Sequence, residues 1–224
     1  LLSQPESGGL PWPLASGLRF NEALSATFLP PVRHAPEYPP ERAGARVNGL
    51  LGLRSPVDPA TFRLHIEGLP EAPASRVLSV ADVQRMPTVE MVTELMCVEG
   101  WSQITRWTGV RVATLIAWLL DLPDTAIRAP DALAKALPPY AYLACPDDAY
   151  YVGFDLPSLL HPQTLLAYRI NGEPLPQEHG APLRLISTVK YGYKSIKRVG
   201  LIRFVSHRPA DYWAQRGYDW YAGL

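Results

Sequence analysis

The sequence predicts an α+β domain that is mainly β, with mixed sheets of short strands and a few short helices. Three observations lead there. Short apolar runs recur between turn signals, among them Pro146-Asp147-Asp148, Asn171-Gly172, His179-Gly180 and Tyr191-Gly192, the punctuation that separates strands. One segment carries a strong helical period, at Val112, Leu115, Ile116 and Leu119, and regular strand–helix alternation, the mark of a doubly wound parallel sheet, is missing. Prolines number 24 in 224 residues, about twice the usual share of roughly 5%. They lie between apolar segments, which conflicts with an ideal helical bundle and fits strands tied by stiff loops.

Residues 1–59 hold ten of those prolines and no sustained period, and they read as an arm wrapping the same domain, with Trp12, Leu14, Leu18, Phe20, Leu24 and Phe28 as apolar anchors. The domain proper is expected over 60–224. At Thr61 strict alternation begins: Phe62, Leu64 and Ile66 on one side, Arg63, His65 and Glu67 on the other, stopped by Gly68 and Pro70. Ser79 followed by Asp82, with Val80 and Val83 between and beyond, predicts a capped short helix that ends before Pro87. Residues 88–97 read as a strand. The best helix is expected to start near Thr108 to Val110 and to close at Pro123. Strands follow at 140–145, 150–155, 165–170, 183–189 and 199–205.

Charge and length exclude several functions. Lys plus Arg and Asp plus Glu are 21 each, so no global basic field gathers nucleic acid or anionic lipid. The longest apolar run, 112–120, is far short of the roughly 20 residues that span a bilayer. Cys97 and Cys145 cannot make a disulfide framework, although one bridge between them stays open. The chain starts at Leu1 and is expected to be a processed product, an export signal having been removed.

Three groups of residues carry candidate chemistry. Cys97 stands where a strand must turn, before Val98-Glu99-Gly100-Trp101, and such a junction can present sulfur to a cleft; a packed, inert thiol is the alternative. No second Cys or His lies at zinc-finger spacing. The stretch from His179 through Arg184 to Lys190, Lys194, Lys197 and Arg198 concentrates five Lys and Arg side chains in an otherwise neutral chain. Arg184, Lys197 and the backbone near Gly192 and Ser195 suit a phosphate, and a solvated cationic face is the competing account. Arg33-His34, between Pro31 and Pro36, is the third group, fit for a pocket wall or an ordinary turn. His65, His161 and His207 receive no role. Neither a Walker loop nor a dinucleotide fingerprint is present, so ATP and NAD have no support.

Three stretches together resemble the molybdopterin-binding domain of the sulfite oxidase family. These are 62–69 (FRLHIEGL), Met96-Cys97-Val98-Glu99-Gly100-Trp101-Ser102 followed by Trp107-Thr108-Gly109-Val110, and 165–176 followed by 179–184 and 190–197. The resemblance implies that fold, one molybdopterin without a nucleotide as cofactor, and Cys97 as the molybdenum ligand, a role that suits soft sulfur. It further implies contacts to the cofactor from Cys145 and His179, and to its phosphate from Arg184, Ser195, Ile196 and Lys197. Arg33 and His34 match substrate-pocket residues of sulfite-oxidising members. The Ala-Gly-Asn-Arg stretch and the C-terminal dimerisation domain of sulfite oxidases have no counterpart here. The branch implied is instead the bacterial periplasmic catalytic subunit that reduces methionine sulfoxide, fed with electrons by a membrane haem protein. Oxygen-atom transfer from a small or protein-bound S-oxide is therefore expected. Sulfite oxidation is the enzymatic alternative, and a pterin-free interaction module that binds an acidic partner is the alternative of another class.

Overall fold

The computed structural model describes residues 11–28, 34–70, 75–123 and 130–224. In chain order its elements are α1 (Trp12–Phe28), β1 (Arg63–Glu67), β2 (Ser75–Ser79), α2 (Val80–Gln84), β3 (Val89–Met96), β4 (Ser102–Arg111), α3 (Val112–Leu119), α4 (Pro130–Lys135), β5 (Tyr140–Ala144), β6 (Tyr151–Asp155), α5 (Leu156–Leu159), β7 (Thr164–Ile170), β8 (Glu173–Pro174), β9 (Arg184–Ser187) and β10 (Leu201–Val205). They form two sheets with a few mostly short helices, as expected; the first sheet is mixed and the second is antiparallel throughout. The first has the order β2-β1-β10-β5-β6, in which β1 and β10 run parallel. The second has the order β3-β4-β7-β8, with β9 also paired to β7.

Period-two patterning explains how the sheets face each other. Leu64 and Ile66 of β1, Leu143 of β5 and Ile202 of β10 meet Val110, Leu166 and Leu185 of the second sheet in one buried cluster, closed by Val112, Leu115 and Ile116 of α3. Fully burying an aliphatic side chain of this size stabilises by about 1.5–3 kcal/mol. On the opposite face of the second sheet, Met91, Trp107, Leu165, Ala167, Ile170 and Ile186 form a smaller cluster. That second face carries the cavity described below.

Local signals work where they are self-contained. The Ser79 hydroxyl accepts from the Asp82 N–H at 3.1 Å, and the Asp82 carboxylate accepts from the Ser79 N–H at 2.9 Å. This reciprocal cap starts α2. Elsewhere the structure departs from expectation. Residues 108–111 belong to β4, and the helix begins only at Val112; pairing with β3 and with β7 holds this segment extended despite the helical spacing that follows. Strand β4 also alternates on its own account, with Gln103, Thr105 and Trp107 pointing one way. Inside the supposed arm lies the 17-residue helix α1. Four of its apolar groups do not act as anchors, since Trp12 is 76% and Phe20 is 64% exposed and Leu14 and Leu24 are exposed as well. Helices α4 and α5 are additional.

The stretch before β1 is tied to the second sheet. The Gln163 side chain exchanges hydrogen bonds with the backbone of Ala35 at 2.7 and 3.0 Å. The Tyr38 N–H donates to the Val92 carbonyl. Gly44 donates to the Ile104 carbonyl, and its own oxygen accepts from Thr105 Oγ1 and Asn171 Nδ2. Both cysteines are free. Among the described residues no helix is long and apolar enough to cross a membrane.

Candidate functional site

The connection from β3 to β4 puts Cys97 on display. The Cys97 N–H donates to the Trp101 carbonyl at 2.9 Å and the Gly100 N–H to the Cys97 carbonyl at 3.1 Å. Gly100 closes the turn at φ +83°, the left-handed region that glycine enters without steric cost. Cys97 is thus the last residue before the hairpin tip and lines a cavity of about 210 Å³. Its thiol pKa is pushed up, chiefly by burial and further by the Glu99 carboxylate, whose Oε2 lies 3.7 Å from Sγ and accepts from the Trp101 indole N–H at 2.8 Å.

The floor of the cavity is the second sheet. Gln103, Thr105 and Trp107 of β4, Ile170 of β7 and Arg184 of β9 all face it. Just beyond Trp107 the register of β4 against β7 slips between Thr108 and Gly109. A Cβ at Gly109 would sit 2.3 Å from the Leu166 carbonyl oxygen, so only glycine permits the bulge here. Above the floor stand three segments: Arg46 to Leu51, the turn at His179, and Gly192 to Lys197. Tyr150, Trp213 and Tyr218 close the side.

Arg184 is buried, with guanidinium N–H groups donating to the carbonyls of His179 at 3.0 Å and Ser195 at 3.2 Å. Its ring neighbour is Trp107, 4.8 Å from guanidinium carbon to ring centroid. Lys197 Nζ donates to the carbonyls of Asn48, Gly49 and Glu178 at 2.8, 2.8 and 2.9 Å. Burial lowers Arg184 to about 10 and Lys197 to about 8. Burial first, then Arg184 and Lys197, also lowers His179 and favours the neutral imidazole.

Five predicted residues therefore share one cavity: Cys97, His179, Arg184, Ser195 and Lys197. Ile196, between two of them, is buried in the main core instead. Cys145 is not a wall of the cavity; its thiol is buried, donates to Asp147 Oδ1 at 2.9 Å, and sits 3.0 Å from where a Cβ on Gly52 would be. Its pKa is raised to about 11 by burial and by that carboxylate. His34 is exposed and packs edge-on against His161 at 5.7 Å, away from the cavity; Arg33 lies outside the described residues. The cationic stretch divides in two. Arg184 and Lys197 face the cavity, whereas Lys190 pairs with Asp155 at 2.9 Å, Lys194 with Asp211 at 2.6 Å, and Arg198 holds the Ala181 and Ser55 carbonyls and Gln177.

The residues present fit the cofactor that the resemblance implies. Cys97 offers one soft sulfur donor at the cavity wall, which suits a molybdenum whose other ligands come from the organic cofactor. At the other end, Arg184 Nε is buried without a partner. Neither Arg184 nor Lys197 donates to a carboxylate. An anionic phosphate supplies the acceptor that the buried Arg184 Nε lacks and the countercharge that Lys197, whose N–H groups are held by carbonyls, does not have.

Comparison with known proteins agrees. The oxidoreductase molybdopterin-binding domain model matches residues 52–213. A putative protein-methionine-sulfoxide reductase subunit of Azospira oryzae is 33% identical over 210 residues, 92% of this chain and 74% of that protein. Catalytic subunits of protein-methionine-sulfoxide reductase from Gluconobacter oxydans and Xanthomonas axonopodis are 34% and 39% identical over 177 and 126 residues. The matched regions make up 55% and 39% of those two subunits. Among solved structures, the sulfane dehydrogenase SoxCD of Paracoccus pantotrophus superposes with a TM-score of 0.55 at 20% identity, covering 69% of this chain and 40% of that one, a likeness of fold. With well over half of its length matched, the chain belongs to the sulfite oxidase family of molybdopterin-binding oxidoreductases.

Proposed function

We propose that this enzyme reduces sulfoxides, methionine sulfoxide in proteins being the substrate class that the relatives' names support. The observation that carries the direction is Glu99. Its carboxylate stands 3.7 Å from the Cys97 sulfur at the cavity wall. A dianion such as sulfite meets like charge there, whereas a neutral sulfoxide does not.

When bound, molybdopterin supplies a molybdenum centre competent for two-electron oxygen-atom transfer. Cys97 sulfur would hold that metal, and Arg184, Ser195 and Lys197 would hold the phosphate. Neutral His179, wedged between these cations, adds no third charge. Trp101 and Leu51 line the same cavity. The net reaction takes one sulfoxide, two protons and two electrons to a thioether and water. The electrons come singly from a redox partner, for which the family resemblance supports a membrane haem protein; the same resemblance supports an exported, periplasmic location. Cell fractionation with a signal-bearing precursor tests the location, and a cytoplasmic product would refute it.

The decisive experiment compares molybdenum-loaded protein in two assays: reduced viologen with methionine sulfoxide, and sulfite with an artificial acceptor. Faster kcat/KM for the sulfoxide is expected. Preference for sulfite would reverse the assigned direction.

A further inference from the structure

Two buried donors in the cavity lack a hydrogen-bond partner: Arg184 Nε and the indole Nε1 of Trp107. Both side chains line the same cavity, and the guanidinium carbon lies 4.8 Å from the Trp107 ring centroid. Trp107 is only 3% exposed and Arg184 only 5%, so water does not routinely serve either group. Leaving a buried N–H unpaired forfeits its hydration with nothing in return, and a fold that keeps two such donors on neighbouring side chains needs an explanation.

Packing does not remove the difficulty. The Trp107 ring belongs to the apolar cluster with Met91, Leu165 and Ile170, where a phenylalanine would fill the floor without a stranded donor. The bulge at Thr108/Gly109 re-aims the strand directly after Trp107. Two of the guanidinium nitrogens of Arg184 are tied to the His179 and Ser195 carbonyls, which fixes its plane over the indole and leaves Nε unserved.

We propose that Trp107 is a cofactor-binding residue, its indole N–H donating to the anionic end of molybdopterin beside Arg184 while its ring supports the guanidinium. The assignment stands on the family and the cavity, and is independent of which sulfur compound the enzyme turns over. A tryptophan at this position then combines a cation–π seat with a donor that no other aromatic residue offers without added polarity.

The test uses loaded protein labelled with 15N at its tryptophan indoles. Trp107→Phe keeps a ring in the floor and removes only the donor, and it identifies the Trp107 resonance by its loss. In wild-type protein that indole proton should move downfield on cofactor loading and exchange slowly with solvent. Trp107→Phe should release pterin about tenfold faster, by fluorescence, the effect of one charge-assisted hydrogen bond. In combination with Arg184→Lys the losses should fall short of additive, because both donors grip one group. An indole resonance that does not respond to loading, or unchanged pterin release from a folded Trp107→Phe protein, overturns the proposal. Should the phenylalanine variant not fold, a benzothiophene analogue at position 107, with sulfur in place of N–H, gives the same readings under the same criteria.

Discussion

Lys197 meets three carbonyl oxygens, and burial, reinforced by Arg184, holds its pKa at about 8 against a small opposing pull from Glu178. From about pH 8 to 10.5 the unfolded chain therefore binds more protons at this lysine than the folded one. For cofactor-free protein, stability from this group rises with pH across that window, and below it the penalty is present in full. Holding a phosphate has the opposite dependence, since the ammonium that attracts it is present below about pH 8 and lost above. Binding of molybdopterin to cofactor-free protein, followed by fluorescence, should thus weaken above about pH 8 in wild type and lose most of that weakening in Lys197→Arg, whose charge persists. Glu99 invites a second measurement at the same scale. Removing one charge about 4 Å from an anion at the solvent boundary is worth about 1 kcal/mol, or roughly fivefold. Glu99→Gln should strengthen inhibition of sulfoxide reduction by sulfate about fivefold at low ionic strength, with the effect fading in salt; an unchanged inhibition constant would deprive the carboxylate of its role in selectivity.

Among the elements, the β3–β4 hairpin matters most because it sets where the metal ligand stands. Gly100 adopts φ +83° with open space around it, so Gly100→Ala meets backbone strain and no collision. A cost of about 1–2 kcal/mol is expected in thermal or urea unfolding, with metal content falling as the turn relaxes and Cys97 moves. Ser79→Ala, which deletes half of the reciprocal cap of α2, should cost about 1 kcal/mol and leave metal content untouched. These two elements differ in how readily they were legible. The Ser79–Asp82 cap and the alternation of Phe62, Leu64 and Ile66 are local, and both formed as the sequence indicated. The period at Val112, Leu115, Ile116 and Leu119 located α3 but not its start, because residues 102–111 are decided by two strand neighbours far away in the chain. In α1 the apolar spacing is spread around the helix and most of those side chains stay exposed, so neither a period nor a packing face was there to be read.

At the scale of the whole molecule, the five cations from Arg184 to Arg198 show what sequence reasoning can and cannot reach. Their clustering pointed to a stretch that does border the cavity, yet nothing in the chain order separates the two that face the cavity from the three held by internal partners. Nor could it reveal that Trp107, Tyr150 and Trp213 come from three distant segments to wall the same space. Lys194 is the clearest case of an internal cation. It is fully buried, 2.6 Å from Asp211 and 2.8 Å from the Gly153 carbonyl, with the Trp220 ring 4.7 Å away. Asp211 in turn accepts from the N–H groups of Gly153, Trp213 and Ala214. The pair thereby fastens the C-terminal segment to β6 and sets Trp213 in the cavity wall. Two desolvated charges of this kind contribute little net stability together, but stranding one of them is costly. Lys194→Met should lower unfolding stability by about 3–5 kcal/mol and speed pterin loss through the displaced wall. Asp211→Asn combined with Lys194→Met keeps an acceptor for the Trp213 and Ala214 N–H groups, gives up the one that serves Gly153, and removes the stranded charge, so the double variant should regain part of that loss. If the double variant is no more stable than Lys194→Met alone in guanidinium titrations, the coupling between these two charges is not what secures the C-terminal segment.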